Sequence, residues 1–151
     1  MIYDSKFGNT ENVAMKLAML LEDHGIATSC VRVGSVDIGQ LVDVHILAIG
    51  GPTHTFGMSK PMAEFMGRLT GVNLEGKTAF AFDTRFKSIM SGSAAKRIEA
   101  TLLHLGARIA APRYSAFVST KGVLKQDGID EELGQIAATL AESIRMPRPG
   151  V

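Results

Sequence analysis

The sequence contains a single cysteine, no tryptophan and no long apolar run. One cysteine, Cys30, can form neither an internal disulfide nor a cysteine-based metal site, so a disulfide-stabilised secreted scaffold and a zinc finger are excluded. No apolar stretch reaches the roughly 18 residues of a membrane span. The N-terminal residues Met1-Ile2-Tyr3-Asp4 lack the basic and apolar segments of a signal peptide. These absences predict a soluble, cytoplasmic protein without a metal ion and without a membrane partner.

The length and charge of the chain set further bounds. It has 151 residues, of which 46% are hydrophobic and 21% charged, which predicts one globular domain over residues 1–145 and a short tail over residues 146–151. The net charge of +1 does not suggest a nucleic-acid-binding protein. Charge is nevertheless uneven, because residues 85–125 contain eight basic side chains and one acidic one. That stretch is either a solvated face or a surface for an anionic ligand or an acidic partner.

Apolar runs rich in β-branched residues alternate with segments of helical periodicity along the chain. The pattern predicts five strands, at residues 1–4, 28–33, 44–49, 77–82 and within 108–119 with a break near Pro112, and four helices, at residues 10–24, 59–71, 93–105 and 130–145. This alternation implies a parallel sheet with helices on both faces. Ligands then lie beyond the carboxyl ends of the strands, which selects three loops, at residues 5–10, 50–58 and 83–92.

The first of these loops leads directly from a strand into a helix, and its sequence is Ser5-Lys6-Phe7-Gly8-Asn9-Thr10. Backbone N–H groups without a helical partner, side-chain hydroxyls and the positive end of the helix dipole converge there, as a phosphate requires. The loop lacks the Gly-Lys-Ser/Thr ending of nucleotide-hydrolysing proteins and the Gly-x-Gly-x-x-Gly turn of dinucleotide-binding proteins. By itself it is either a phosphate site or an ordinary helix cap, with Thr10 as the N-cap residue.

The same loop, followed by Ala14 and Leu17, resembles the FMN-phosphate signature of the flavodoxins. The second loop, Gly51-Pro52-Thr53-His54-Thr55-Phe56-Gly57, is similar to the flavodoxin loop that covers one face of the flavin, and the third, Phe82-Asp83-Thr84-Arg85-Phe86, is similar to the segment that covers the other face. The resemblance spans about residues 1–142. It implies a flavodoxin-like doubly wound α/β fold, with a five-stranded parallel sheet in the order 2-1-3-4-5. FMN is then expected at the switch point of this sheet, and flavodoxin is itself the type example of that strand order.

The residues that the resemblance assigns to the cofactor lie on these three loops and carry no catalytic or metal-binding role. They are Ser5, Lys6, Phe7, Gly8, Asn9, Thr10, Pro52, Thr53, His54, Thr55, Phe56, Gly57, Asp83, Thr84, Arg85, Phe86 and Gly92. The chain departs from the family pattern with His54 where flavodoxins place a stacking Trp, Phe86 where they place Tyr, and Phe7 where Thr is common. Lys60, Arg85 and Lys87 flank loops that are acidic in the family, which predicts a less negative potential for the second reduction of the flavin.

The resemblance implies an FMN-binding electron-transfer protein that shuttles electrons between a reductase and an acceptor, a carrier more than an oxidoreductase enzyme. Two alternatives stay open, an FMN-dependent NAD(P)H:quinone reductase and a flavodoxin-fold module that has lost flavin binding. The basic stretch predicts redox partner proteins with an acidic docking surface. Because a four-residue central strand is short, we also expect either a longer native N-terminus or compensating packing around the first strand.

Overall fold

The computed structural model describes residues 1–54, 57–88 and 92–146, so Thr55, Phe56 and residues 89–91 and 147–151 lie outside the described residues. The described chain forms seven strands, β1 (Ile2–Tyr3), β2 (Val31–Arg32), β3 (Ile46–His54), β4 (Gly57–Met58), β5 (Thr78–Phe86), β6 (Arg108–Ile109) and β7 (Tyr114–Val118). Its α-helices are α1 (Asn9–Asp23), α2 (Lys60–Leu69), α3 (Ala94–His104) and α4 (Ile129–Arg145). Short 3-10 helices at Val33–Ser35 and Ile38–Asp43 connect β2 to β3.

One parallel sheet organises the fold, with strands in the order β2-β1-β3-β5 and then β6 and β7. Both β6 and β7 pair with β5, so they are two pieces of a single fifth strand that is interrupted around Pro112, as predicted. Counted this way, the parallel strands follow the order 2-1-3-4-5, and the predicted doubly wound α/β fold is confirmed. The short strand β4 pairs antiparallel with the end of β3 and closes a hairpin.

Successive strand side chains alternate between two apolar cores, one on each face of the sheet. Leu47 and Ile49 join the core that is covered by α2 and α3, whereas Ala48, Phe80 and Phe82 join the core that is covered by α1 and α4. Because both faces are covered, the central strands are apolar over residues 46–49 and 79–82. No helix of the described chain combines the length and hydropathy that crossing a bilayer requires.

Strand β1 is only two residues long although it lies inside the sheet, between β2 and β3. Backbone bonds extend its pairing at both ends, because the Met1 carbonyl accepts from the Val31 N–H at 2.9 Å and the Asp4 N–H donates to the Gly50 carbonyl at 3.1 Å. Its own two residues are buried. Backbone pairing therefore extends over the four residues predicted as the first strand.

Strands β3 and β5 continue further than the sequence predicts. The sequence predicts loops that begin at residues 50 and 83. This prediction is wrong for the first residues of each loop, because β3 runs to His54 and β5 runs to Phe86. The parallel register between these strands extends to the pair Pro52 and Thr84, and β7 pairs with β5 as far as Phe86. The local sequences of these two segments, rich in Gly, Pro, Asp and Thr, are typical of loops. Pairing with strands that are distant in sequence nevertheless keeps both segments in strand conformation.

The start of α1 also differs from the prediction. Gly8, with φ 88°, is the N-cap residue of this helix, so the prediction that Thr10 caps it is wrong. A left-handed conformation favours glycine because a Cβ would be strained there. The predicted cap of the next helix is confirmed, since the Ser59 hydroxyl accepts from the Met62 N–H at 3.4 Å.

Candidate functional site

The loop between β1 and α1 places unbonded backbone N–H groups at the start of a 15-residue helix. Ser5 Oγ accepts from the N–H groups of Gly8 and Glu11, at 3.1 and 3.3 Å. The N–H groups of Asn9 and Thr10 have no hydrogen-bond acceptor among the described residues. A Cβ at Gly8 would meet no atom within 4 Å. The helix dipole adds positive potential to this open space, so the loop suits an anion such as a phosphate.

Arg32, in β2, fixes the backbone of this loop. Its guanidinium donates to the Ser5 carbonyl at 3.0 Å and to the Glu11 carboxylate at 2.7 Å. On the other side, the Asn9 side-chain amide donates to the Gly122 carbonyl at 2.9 Å, in the turn after β7. Sequence reasoning missed Arg32, because its contacts exist only when β2 lies beside β1 and no local signal reports that pairing.

Thr10 and Thr84 join the first of the predicted loops to the third. Their hydroxyl oxygens lie 2.8 Å apart, and the two residues are only 1% and 4% exposed. Either hydroxyl can be the donor of this bond. Since a hydroxyl has one donor and two acceptor sites, the contact leaves Thr10 free to make a further hydrogen bond.

Asp83 is completely buried at the carboxyl end of β5. Its Oδ2 accepts from Thr53 Oγ1 at 3.2 Å, from Ser93 Oγ at 2.7 Å and from the Ala95 N–H at 3.1 Å. Thr53 Oγ1 also accepts from the Ala94 N–H at 2.9 Å. The carboxylate therefore ties the second loop to the third through the start of α3. Its Oδ1 is buried with no hydrogen-bond partner among the described residues, a state that calls for a water or a bound group.

The β3–β4 hairpin carries His54 and Gly57, which pair with each other. A Cβ at Gly57 would lie 3.3 Å from Nε and 3.4 Å from Cζ of Arg97, in α3. Glycine therefore leaves room for the arginine side chain, a contact that the sequence does not predict. Thr55 and Phe56, which the resemblance assigns to the flavin, lie outside the described residues.

Two large aromatic side chains are exposed on the loops that the resemblance assigns to FMN. Phe7 is 78% exposed and Phe86 is 52% exposed, after β1 and at the end of β5 respectively. The Lys6 ammonium lies 5.3 Å from the centre of the Phe7 ring. Aromatic rings suit a flat apolar ligand, so these two exposed side chains are candidates for contact with one.

Arg85 and Lys87 lie over β7. Arg85 Nε donates to Ser115 Oγ at 3.1 Å, and another guanidinium nitrogen donates to the Gly92 carbonyl at 2.7 Å. The Arg85 and Lys87 charges lie 5.6 and 5.7 Å from the centre of the Phe117 ring. The structure thus brings these two cations together over β7, whereas Arg97 is the cation that contacts the β3–β4 hairpin.

Carboxylates also lie at the carboxyl ends of the parallel strands. The Asp4 carboxylate accepts a short hydrogen bond from the buried Ser59 hydroxyl, and Asp83 lies at the end of β5. Lys60, the first residue of α2, is exposed. The carboxyl edge is therefore of mixed charge rather than simply basic. No group of three or more His, Cys, Asp or Glu side chains within the described ranges is arranged to hold a metal ion.

These features fit a flavin with a phosphate. Among the described residues, the N–H groups at the start of α1 lack acceptors and the buried Asp83 Oδ1 lacks a donor, while Phe7 and Phe86 supply aromatic surface. They lie at the carboxyl ends of β1, β3 and β5, where the strand order of a doubly wound sheet reverses. Fold and site together define a doubly wound α/β protein with a candidate ligand site at its switch point.

The chain belongs to the flavodoxin family, because the sequence model of that family matches residues 1–133. This confirms the family that the three loop motifs indicate. Flavodoxins are flavin-binding proteins that transfer electrons to and from other proteins, and family membership extends this general function to the chain.

Solved structures show the same fold. A flavodoxin from the domain Archaea is 23% identical over 96% of both chains, with a TM-score of 0.79. The flavodoxin of Streptococcus pneumoniae TIGR4 is 22% identical, with a TM-score of 0.85, over 94% of this chain and 96% of that chain. The rubredoxin oxygen:oxidoreductase of Desulfovibrio gigas is 23% identical, with a TM-score of 0.82, over 95% of this chain and 35% of that one. No protein with a curated description matches the chain.

Proposed function

We propose that this chain binds FMN and carries electrons between a reductase and an acceptor protein in the cytoplasm, with residues 1–145 acting as one domain. The observation that carries the proposal is that the N–H groups of Asn9 and Thr10, at the positive end of α1 and next to the Thr10 hydroxyl, have no acceptor in the described part of the chain. This arrangement suits one terminal phosphate, and the sequence has no second, dinucleotide-type phosphate turn.

In this proposal, residues 5–10 bind the phosphate, and residues 52–57, 83–86 and Gly92 enclose the ring. The bound flavin supplies the redox chemistry, while the chain binds it, orients it and keeps water from it. Phe86 covers apolar ring surface, whereas Phe7 lies in the phosphate loop. Thr53 and Asp83 act indirectly, since their hydrogen bonds fix the hairpin and β5 against the start of α3.

Flavin-fluorescence titrations of the apoprotein with FMN, riboflavin and FAD test the phosphate assignment. We expect FMN to bind roughly 10-fold or more tightly than riboflavin, because only FMN carries the phosphate that meets the α1 N–H groups. Gly8→Ala places a methyl group in the open space beside these groups and should weaken FMN selectively. The matched control is Gly71→Ala, since Gly71 also has a positive φ, of 92°, with no atom within 4 Å of its Cβ position.

Several outcomes would contradict this function. Equal losses of FMN affinity in the two glycine variants would show that backbone strain, and not the phosphate site, is responsible. Absence of FMN binding to the wild type would point to a flavodoxin-fold module without flavin. Multiple turnovers of NAD(P)H and a quinone by the isolated FMN-loaded protein would indicate a quinone reductase instead of a carrier.

A cleft of about 1330 Å³ along β7 is the proposed docking surface for an acidic redox partner. Five of the basic residues in the 85–125 stretch line it, namely Arg85, Lys87, Lys96, Arg113 and Lys125. Three acidic residues also line it: Glu99 pairs with Arg113 at 3.2 Å, Glu132 accepts from the Tyr114 hydroxyl at 2.6 Å, and Asp127 is the third. The cleft exceeds the roughly 300–1,000 Å³ of small-molecule sites, which favours a protein segment as its occupant.

A fluorescein-labelled polyglutamate peptide tests this surface by anisotropy. Lys125→Glu should weaken binding of the peptide several-fold, and the loss should shrink at high salt because screening weakens charge attraction. Lys121→Glu is the matched control, since Lys121 belongs to the same basic stretch but does not line the cleft. Equal losses in both variants would show that the peptide senses net charge and not the cleft.

A further inference from the structure

Arg97 belongs to the first turn of α3, and its side chain lies against the β3–β4 hairpin. A Cβ at Gly57 would lie 3.3 Å from its Nε, 3.4 Å from its Cζ and 3.6 Å from its Cδ. A side chain at position 57 would therefore press on the guanidinium, which would have to shift by a few tenths of an ångström. Gly57 is not among the glycines with a positive φ, so an alanine there would meet the arginine side chain without backbone strain.

The charge of Arg97 has no carboxylate partner in the part of the chain that the structure describes. The ion pairs found there join other residues, Lys16 with Asp130, Arg32 with Glu11 and Arg113 with Glu99. The Arg97 carbonyl accepts from the Thr101 hydroxyl at 3.1 Å, which involves the helix backbone, and the residue is exposed to solvent.

We infer that Arg97 raises the reduction potential of the bound flavin by favouring its fully reduced, anionic form. The inference rests on the proposed function, in which the hairpin that carries Gly57 covers the flavin ring. Full reduction of FMN at neutral pH takes up two electrons from a donor and one proton from water, so the flavin gains one negative charge. Arg97 is exposed, so solvent screens its charge, and the attraction is modest and falls as the salt concentration rises.

The side chains of the other cations near these loops make their contacts at β7. Arg85 is hydrogen-bonded to Ser115 and Gly92, and Lys87 lies over the Phe117 ring, so both point along β7. The carboxylates at the same edge act in the opposite direction, since negative charge disfavours reduction to an anion. Arg97 therefore offsets part of the effect of Asp4 and Asp83 and replaces Arg85 and Lys87 as the expected source of a less negative potential.

Dissociation constants for oxidised and for dithionite-reduced FMN test the inference. Arg97→Gln should weaken binding of reduced FMN about three- to tenfold more than binding of oxidised FMN. That ratio equals a fall of about 15–30 mV in the two-electron midpoint potential, at about 30 mV per tenfold change, and spectroelectrochemistry measures the same fall independently. Arg97→Lys keeps the charge and should restore most of the potential.

Lys96→Gln is the matched control, because Lys96 precedes Arg97 in α3 but lines the cleft at β7. It should leave the ratio of the two dissociation constants unchanged. Gly57→Ala forces the guanidinium to move by a few tenths of an ångström, so it should lower the potential in the same direction by a smaller amount. The double variant Gly57→Ala/Arg97→Gln should fall no further than Arg97→Gln alone.

The outcomes separate this inference from the proposed function. If Arg97→Gln binds FMN with an unchanged ratio, or weakens both forms equally, the inference is refuted and the proposed function stands. If the wild type binds neither form, both are overturned. Equal shifts in Arg97→Gln and Lys96→Gln would show a general effect of net charge and would also refute the inference.

Discussion

The hydroxyl pair of Thr10 and Thr84 allows the role of Thr10 in phosphate binding to be separated from its role in the fold. Valine has the shape of threonine, so Thr10→Val or Thr84→Val removes one hydroxyl and leaves the other buried without its partner. An unpaired buried hydroxyl costs about 1–3 kcal/mol, whereas removal of both partners is close to neutral. We expect each single variant to lower the free energy of unfolding by about 1–2 kcal/mol and the double variant to lose less than the sum.

Binding of FMN should distinguish the two positions. If the Thr10 hydroxyl donates to the phosphate while it accepts from Thr84, Thr10→Val removes a hydrogen bond to a charged group, worth about 1.5–3 kcal/mol. That energy corresponds to a Kd for FMN roughly 10- to 150-fold weaker. Thr84→Val keeps the donor and should retain affinity within about threefold. Riboflavin, which lacks the phosphate, should bind the wild type and both variants alike.

The chain lacks tryptophan, so urea unfolding is best followed by circular dichroism, while flavin fluorescence gives the dissociation constants. Equal losses of FMN affinity in Thr10→Val and Thr84→Val would refute the phosphate role, because both variants would then act through the fold. A loss for riboflavin as large as the loss for FMN in Thr10→Val would refute it as well.

Three further changes test the packing and charge of the fold. Gly50→Ala should destabilise the protein by about 3 kcal/mol or more in urea unfolding, because a Cβ at Gly50 would overlap the Phe82 ring; a normal midpoint would contradict that packing. Asp83→Ala should cost more stability than Asp83→Asn, because the amide keeps an oxygen to accept hydrogen bonds at the start of α3; equal losses would contradict this. Burial, followed by the hydrogen bond to Glu132, raises the pKa of Tyr114 above its ordinary value of 10.0, so the folded state keeps a proton that the unfolded state loses and stability falls as pH rises above 10. Tyr114→Phe should lose stability less steeply in this range, and identical alkaline profiles would rule the effect out.

Helix ends are predictable from the sequence because they depend on local backbone chemistry. Gly25, Gly71 and Gly106 all adopt positive φ just after α1, α2 and α3, where the sequence places the helix stops. Each helix boundary lies within a residue or two of its expected position. The strand order also follows once the motifs identify the family, since the order of parallel strands is a property of the family fold and not of any local pattern.

Strand ends and side-chain partners are less predictable because they depend on which elements become neighbours. The second strand is expected over residues 28–33, yet only Val31–Arg32 pairs, and the chain then turns into 3-10 helices. Lys96 and Arg97 are consecutive in the basic stretch, but helix geometry separates neighbouring side chains by about 100°. One therefore lines the cleft and the other contacts the hairpin, so the basic stretch is not one surface.

The long ladder between β3 and β5 has a consequence for the dynamics of the candidate site. Its parallel register runs to Pro52 and Thr84, and β5 is paired on its other side as far as Phe86. Amide protons in this ladder should exchange with solvent only through global unfolding, whereas those of the two-residue β2 should exchange through local opening. Asp83 and Thr84 of the candidate site belong to this slowly exchanging ladder, so these two residues have little conformational entropy left to lose when a ligand binds.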